Sequence, residues 1–259
     1  MMSPSNIRKP DAVAPSVRLT DAGLAYDGTV LFDGISMDLP AGEWTVLLGP
    51  SGVGKTTLLR LFAGLEGSAT GDISCSDSEP LTGRIAYMAQ QDLLLPWLTL
   101  EENVLLGARL RGENRNTLRG RARDLLDRAG LGRYATALPA KCSGGMRQRA
   151  ALARTLIEDR SLVLMDEPFS SLDVISRLQL QDLAATLLKH RTVLLVTHDP
   201  MEALRLGHTV HVMTGRPAEL GAPIAPGGIA PRDAADPQLL TLQAELLAQL
   251  TEAAMAGDE

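Results

Sequence analysis

Nine residues, Gly49–Thr57 (GPSGVGKTT), constrain the fold of this chain more than any other stretch. An apolar run, WTVLL at 44–48, leads into them, and KTTLLRLFAGL follows with helical apolar spacing and a glycine stop. The local order is strand, glycine-rich loop, helix, the context in which the pattern G-x-x-x-x-G-K-[ST] cradles phosphate groups. In the segment Gly49, Pro50, Ser51, Gly52, Val53, Gly54 the glycines allow backbone N–H groups to turn inward onto phosphate oxygens. The helix that follows adds the positive end of its dipole. Lys55 is spaced to reach the β- and γ-phosphates and the Thr56 hydroxyl to ligate Mg²⁺, with Thr57 closing the motif.

A second chemical feature stands at the end of another apolar run. SLVLMDEP (161–168) places Asp166 and Glu167 side by side where a buried strand gives way to a loop. Successive strand residues point to opposite faces, but at the carboxyl end of a strand both can line the crevice where open α/β sheets bind ligands. Beside a phosphate loop, Asp166 suits a Mg²⁺-linked role, and Glu167 suits a general base acting on the water that attacks the γ-phosphate.

The rest of the chain reads as an α/β domain of 259 residues with a helical insertion. Residues 1–16 read as a disordered tail. Residues 17–48 carry strand-like runs, and 72–89 carry two further short strands. Residues 100–160 are Arg-rich, with helical apolar spacing. A helix around 174–190, the buried run TVLLVTH ending at His198, a short helix around 200–206 and the strand TVHVMTG complete a core. Residues 217–235 read as loop. A last helix begins with Asp236 as N-cap and Pro237 at its first position, and its Leu stripe reads as core packing.

Composition excludes several classes. Aromatics make up 3% of the chain, too few for a base-stacking platform, and the net charge is −6. Residues 101–160 hold 13 Lys and Arg against 7 Asp and Glu, a local +6 that leaves −12 elsewhere, read as a solvated helical face. Two cysteines, Cys75 and Cys142, make neither a disulfide framework nor a metal site. The amino terminus lacks the apolar core of a signal peptide. No apolar run reaches the roughly 20 residues that span a bilayer.

Between these landmarks lies KCSGGMRQR (141–149), with a Ser-Gly-Gly at the mouth of a helix and no catalytic side chain. Taken with the rest, it makes the chain resemble the ATP-binding cassette family of ABC transporters over about residues 17–215. GPSGVGKTT matches the Walker A motif, and Gln90 the Q-loop, with Gln91 as its rival. CSGGM matches the signature motif, VLMDE the Walker B, SSLD (Ser170–Asp173) the D-loop and Thr197–His198 the H-loop. Tyr26 falls where the family has an aromatic that stacks on adenine; the alternative for AYDGTV is a surface tyrosine. The family's signature is Leu-Ser-Gly-Gly-Gln, and here Cys142 and Met146 replace its first and last residues.

The resemblance implies an α/β fold: a P-loop NTPase (RecA-like) core with an antiparallel β subdomain and an inserted α-helical subdomain. Residues 17–90 and 156–215 would form the core, 91–155 the helical subdomain, and 216–259 a C-terminal loop and helix. It implies an ATPase that uses ATP and Mg²⁺, with Mg²⁺ held by Thr56, Gln90 and Asp166, Glu167 as base, His198 as a switch and Lys55 on the phosphates. Two cassettes, expected here as a homodimer, would pair head to tail. Ser143, Gly144, Gly145 and Met146 would then face the partner's ATP, with Ser171 and Asp173 of the D-loop at the contact.

It further implies permease partners, a substrate-binding protein, no nucleic acid, and a peripheral location on the cytoplasmic face of the inner membrane. LLPWLTLEENV resembles small-solute importers of the nitrate, sulfonate, taurine and thiamine-precursor group. The alternative is a membrane mechanical or export complex of the cell-division or lipoprotein-release type. Leu94, Leu95 and Trp97 are either a docking surface for the permease or internal packing of the helical subdomain.

Overall fold

The computed structural model describes residues 14–256, built on two sheets. In the smaller, β1 (Val17–Tyr26) lies between β2 (Thr29–Leu39) and β4 (Thr70–Cys75), antiparallel to both. The larger sheet contains β3 (Trp44–Leu48), β5 (Ile85–Met88), β6 (Leu162–Asp166), β7 (Thr192–Thr197), β8 (Thr209–Thr214) and β9 (Glu219–Leu220). Its order is β5-β6-β7-β3-β8-β9, parallel until β9 closes the edge antiparallel to β8.

Every residue of β3, β6 and β7 is buried, which is why these strands read as unbroken apolar runs rather than alternating ones. Their side chains still alternate between two cores. Val46, Leu48, Val163, Met165, Val193 and Leu195 enter one. Leu47, Leu162, Leu164, Leu194 and Val196 enter the other, with α1 (Lys55–Phe62) and the small sheet. Because β6, β7 and β3 are neighbours, the three loops leaving their carboxyl ends converge.

Between β5 and β6 come α2 (Leu100–Val104), α3 (Leu106–Leu110), α4 (Arg115–Arg128) and α5 (Gly144–Ile157), packed on a third core that includes Leu100, Val104, Leu126 and Ala150. Much of the positive charge here is internally matched. Buried Glu101 accepts from Arg119 at 2.5 Å and Arg123 at 2.9 Å. After β6 come α6 (Val174–Leu187), α7 (Pro200–Leu206) and α8 (Pro237–Ala256). Among the described residues, no helix is long and apolar enough to cross a membrane.

Two expectations need correction, and one open alternative divides. The tail expected through residue 16 is shorter: Ala14 is buried, the Pro15 carbonyl accepts from Thr192 at 2.8 Å, and the Ser16 carbonyl from Ser76 N. Residues 1–13 lie outside the described residues. The stretch read as loop, 217–235, contains β9 and the buried Arg232. Arg232 donates to four backbone carbonyls, those of Leu204, Gly207, Pro226 and Gly227. It thereby caps the carboxyl end of α7, and α8 then packs on α7 through a core that includes Leu239 and Leu246. Finally, Leu94 is buried in the helical core, whereas Trp97 is 71% exposed and Leu93 58%. The apolar segment is thus divided between packing and open surface.

Candidate nucleotide and hydrolysis site

The glycine-rich loop leaves β3 and enters α1 through Gly54, whose φ of 113° only glycine adopts without strain. A Cβ on Gly49 would collide with the Met213 carbonyl of β8. These two glycines let the backbone turn tightly against the sheet and open into α1 with its N–H groups free. Lys55 is buried and folds back so that Nζ donates to the Gly49 and Pro50 carbonyls, each at 2.8 Å. Burial pushes its ammonium pKa down, with Glu167 and Asp166 pulling the other way. The lysine is therefore held at the loop's mouth by weak carbonyl acceptors, beside two carboxylates.

The Thr56 hydroxyl donates to Asp166 Oδ1 at 2.9 Å, and the Tyr87 hydroxyl lies 3.4 Å from Oδ2. Burial raises the Asp166 carboxyl pKa, the Thr56 hydrogen bond opposing it. Burial together with Asp166 pushes Tyr87 up to about 12. Hydroxyl and carboxylate oxygens this close form a hard donor set of the kind Mg²⁺ takes. Tyr87 is a participant that sequence reasoning did not single out.

Glu167 is the meeting point of three loops. Its Oε2 accepts from Gln90 Nε2 at 3.1 Å and lies 3.0 Å from His198 Nδ1. Gln90, rather than Gln91, is thus the glutamine on the carboxylate. The backbone of Glu167 sits at φ 43°, a strained value for a branched-chain-free L residue that is held by Glu167 N on the Val196 carbonyl and by Ser170 on the Glu167 carbonyl. Strain of this kind, of order 1–3 kcal/mol, gathers where a side chain must be aimed.

Ser143 is the N-cap of α5, its hydroxyl accepting from Met146 N at 3.3 Å, so Gly144 and Gly145 form the open first turn. Cys142 is buried in the helical core with Sγ on the Leu138 carbonyl, and Met146 packs against the same core. The two departures from the family motif therefore point inward. Arg147 pairs with Asp92 at 2.9 Å, and Arg154 donates to the Asp92 and Leu93 carbonyls, tying the segment after Gln90 to α5. Asp173 caps α6, while Ser171 is exposed beside it. Tyr26 is 46% exposed at the end of β1, with its hydroxyl on Glu66 at 2.8 Å.

Gly49, Lys55, Thr56, Gln90, Asp166, Glu167 and His198 are thus brought together. Ser143–Met146, Ser171 and Asp173 make no hydrogen bond to that group among the described residues; Ser143, Gly144, Ser171 and Asp173 are exposed, whereas Gly145 and Met146 are half-buried. Residues 32–170 match the family described as ABC transporter. An ABC transporter ATP-binding protein of Haemophilus influenzae is 46% identical over 239 residues, covering 90% of this chain and 98% of the relative. This chain belongs to the ABC transporter ATPase family. It is an ATP-binding cassette, and its chemistry is ATP hydrolysis.

The aliphatic sulfonates import ATP-binding protein SsuB 2 of Pseudomonas syringae pv. tomato is 41% identical to the cassette, covering 88% of this chain and 95% of the relative. Among solved structures, the cassette MJ0796, a dimer in a post-hydrolysis state with ADP and phosphate, matches with a TM-score of 0.70 at 27% identity. That match covers 82% of this chain and all of the other. The P-loop α/β fold expected from the sequence is the one found.

Proposed function

We propose that the cassette drives import of a small organic anion of the aliphatic sulfonate class, as a pair of copies bound to a membrane permease fed by a substrate-binding protein. The observation that carries the chemistry is the convergence of Gln90 and His198 on Glu167, beside Lys55 and the Thr56–Asp166 pair. The similarity to sulfonate-import cassettes supports the cargo class.

ATP would lie with its phosphates in the Gly49–Thr57 loop. Lys55 would exchange its two carbonyl acceptors for phosphate oxygens, a better electrostatic match. Mg²⁺ would be held by Thr56, Asp166 and Gln90, and when bound it neutralises charge on the β- and γ-phosphates. Glu167 accepts a proton from the attacking water. His198, with Nδ1 committed to Glu167, offers Nε2 to the γ-phosphate. Positioning and charge stabilisation supply the rest.

Ser143 is spent on capping α5 and makes no hydrogen bond to these groups among the described residues, and the N–H groups of this first turn serve the ATP of a second copy. Tyr26 stacks on adenine once its bond to Glu66 yields. Exposed Trp97 and Leu93 belong to the face that meets the permease, which would hold the cassette on the cytoplasmic side of the membrane.

The test is to solubilise membranes gently, recover the cassette and identify its companions. A multi-span permease with a binding protein that releases an alkanesulfonate is the expected result. A membrane partner with no binding protein would overturn import in favour of an export or mechanical complex. Ribosomes or DNA would overturn transport altogether.

A further inference from the structure

One guanidinium joins two loops that the hydrolysis chemistry uses separately. Arg177, in the first turns of α6, donates through one terminal nitrogen to Asp199 at 2.8 Å and through the other to the Leu172 carbonyl at 3.1 Å. Leu172 belongs to the D-loop, and it packs toward the signature turn: a Cβ on Gly145 would meet Leu172 Cδ2 at 3.5 Å. Asp199 immediately follows His198 and caps α7, accepting from Met201 N and Glu202 N.

Helix stability does not account for this arginine. A cation near the amino end of a helix opposes the dipole, and alanine is the better helix former. The ion pair is partly exposed, 28% and 27% at the two side chains, so it adds little to folding. Nor is there a competing anion beneath the turn. Glu202 is buried on α7 and accepts from Gln181 at 3.2 Å; burial pushes its carboxyl pKa up to about 8, which favours the neutral form, and the carboxylate that Arg177 engages is that of Asp199.

We infer that Arg177 is a positioning residue, which clamps the His198–Asp199 turn to the D-loop so that His198 stays on Glu167. The D-loop also holds Glu167 directly, since Ser170 donates through N and Oγ to the Glu167 carbonyl. Displacing Leu172, as contact with a second cassette at the D-loop would do, therefore moves both the base and the histidine that orients it. This inference rests on the roles proposed above for Glu167 and His198.

The experiment compares Arg177→Ala, Arg177→Lys, Asp199→Asn and the Ala/Asn double variant of the full chain, reading kcat, KM for ATP and thermal stability. Asn keeps the helix cap while removing the charge. Arg177→Ala is expected to lower kcat about tenfold or more with KM unchanged within about twofold, as for a small misplacement of a reacting group. Lys should restore part of kcat through a single bond to Asp199, and the double variant should be no slower than the worse single one.

Wild-type kcat in Arg177→Ala, additive losses in the double variant, or a fall in kcat that only tracks lost thermal stability would each overturn the clamp. Glu167→Gln in the same assay separates the two levels of inference. If Glu167→Gln turns over normally, the roles assigned to the hydrolysis site fail. If it is inactive while Arg177→Ala is wild type, the clamp alone fails.

Discussion

Glu167→Gln should lower steady-state ATP hydrolysis by about 10²–10⁴-fold, the range a positioned general base contributes, while leaving ATP affinity close to wild type. The amide has the shape of the carboxylate, and its oxygen in the place of Oε2 can still accept from Gln90 and His198. Folding should therefore change little, and the loss should sit in kcat. The strained backbone at φ 43° is held by main-chain bonds to Val196 and Ser170 that the substitution does not touch. With hydrolysis blocked, ATP should hold two copies together, giving a dimer by light scattering that disperses when ATP is withdrawn. The nearest carboxylate, Asp166, engages Thr56 and Tyr87 rather than Gln90 or His198, so it offers no substitute base. Turnover within about threefold of wild type would mean that another group, or substrate-assisted chemistry, removes the proton.

The second large effect concerns stability. Arg232→Met should destabilise the fold by roughly 2–4 kcal/mol, since it strips a charged donor from four carbonyls, and buried acceptors left unpaired cost about 1–3 kcal/mol each before water fills in. For a chain of this size that corresponds to a Tm lower by roughly 5–15 °C in a calorimetric scan. Methionine conserves much of the volume, so the loss is of hydrogen bonds and not of packing. Two of those carbonyls, of Leu204 and Gly207, close α7, which begins two residues after His198. A variant that keeps its Tm would show that the segment from β9 to α8 is held by its other contacts, the Ile224–Val210 backbone pair and the packing of Leu239 and Leu246 among them.

What the sequence made legible was whatever local spacing encodes. The phosphate loop is contiguous, its glycines answer to a φ of 113° at Gly54 and a backbone approach at Gly49, and its strand and helix flank it directly. Asp166, Glu167 and His198 were visible because each ends an apolar run, and parallel strands put their functional loops at the carboxyl ends. Gln90 could be separated from Gln91 only by its offset from LLPW, and its hydrogen bond to Glu167 agrees.

Tyr87, Arg177 and Arg232 were not legible, for a common physical reason. Their partners lie 79, 22 and up to 28 residues away, and for Arg232 all are backbone carbonyls, which any residue can supply. No periodicity records such a contact. Cys142 and Met146 illustrate the converse. As departures from the family motif they looked consequential, yet both side chains face the helical core while Ser143 keeps its cap.

Whether the signature serves the ATP of a second copy can be measured directly by mixing two inactive variants. Ser143→Arg blocks the signature turn but keeps Glu167, and Glu167→Gln keeps the signature but lacks the base. If the hydrolysis site is shared between two chains, a mixed dimer contains one intact site, built from Glu167 of the first variant and Ser143 of the second, and ATPase activity should return on mixing. If activity stays at the level of the separate variants while the mixed dimer forms, hydrolysis is complete within one chain, and the arrangement proposed for the Ser-Gly-Gly turn is wrong.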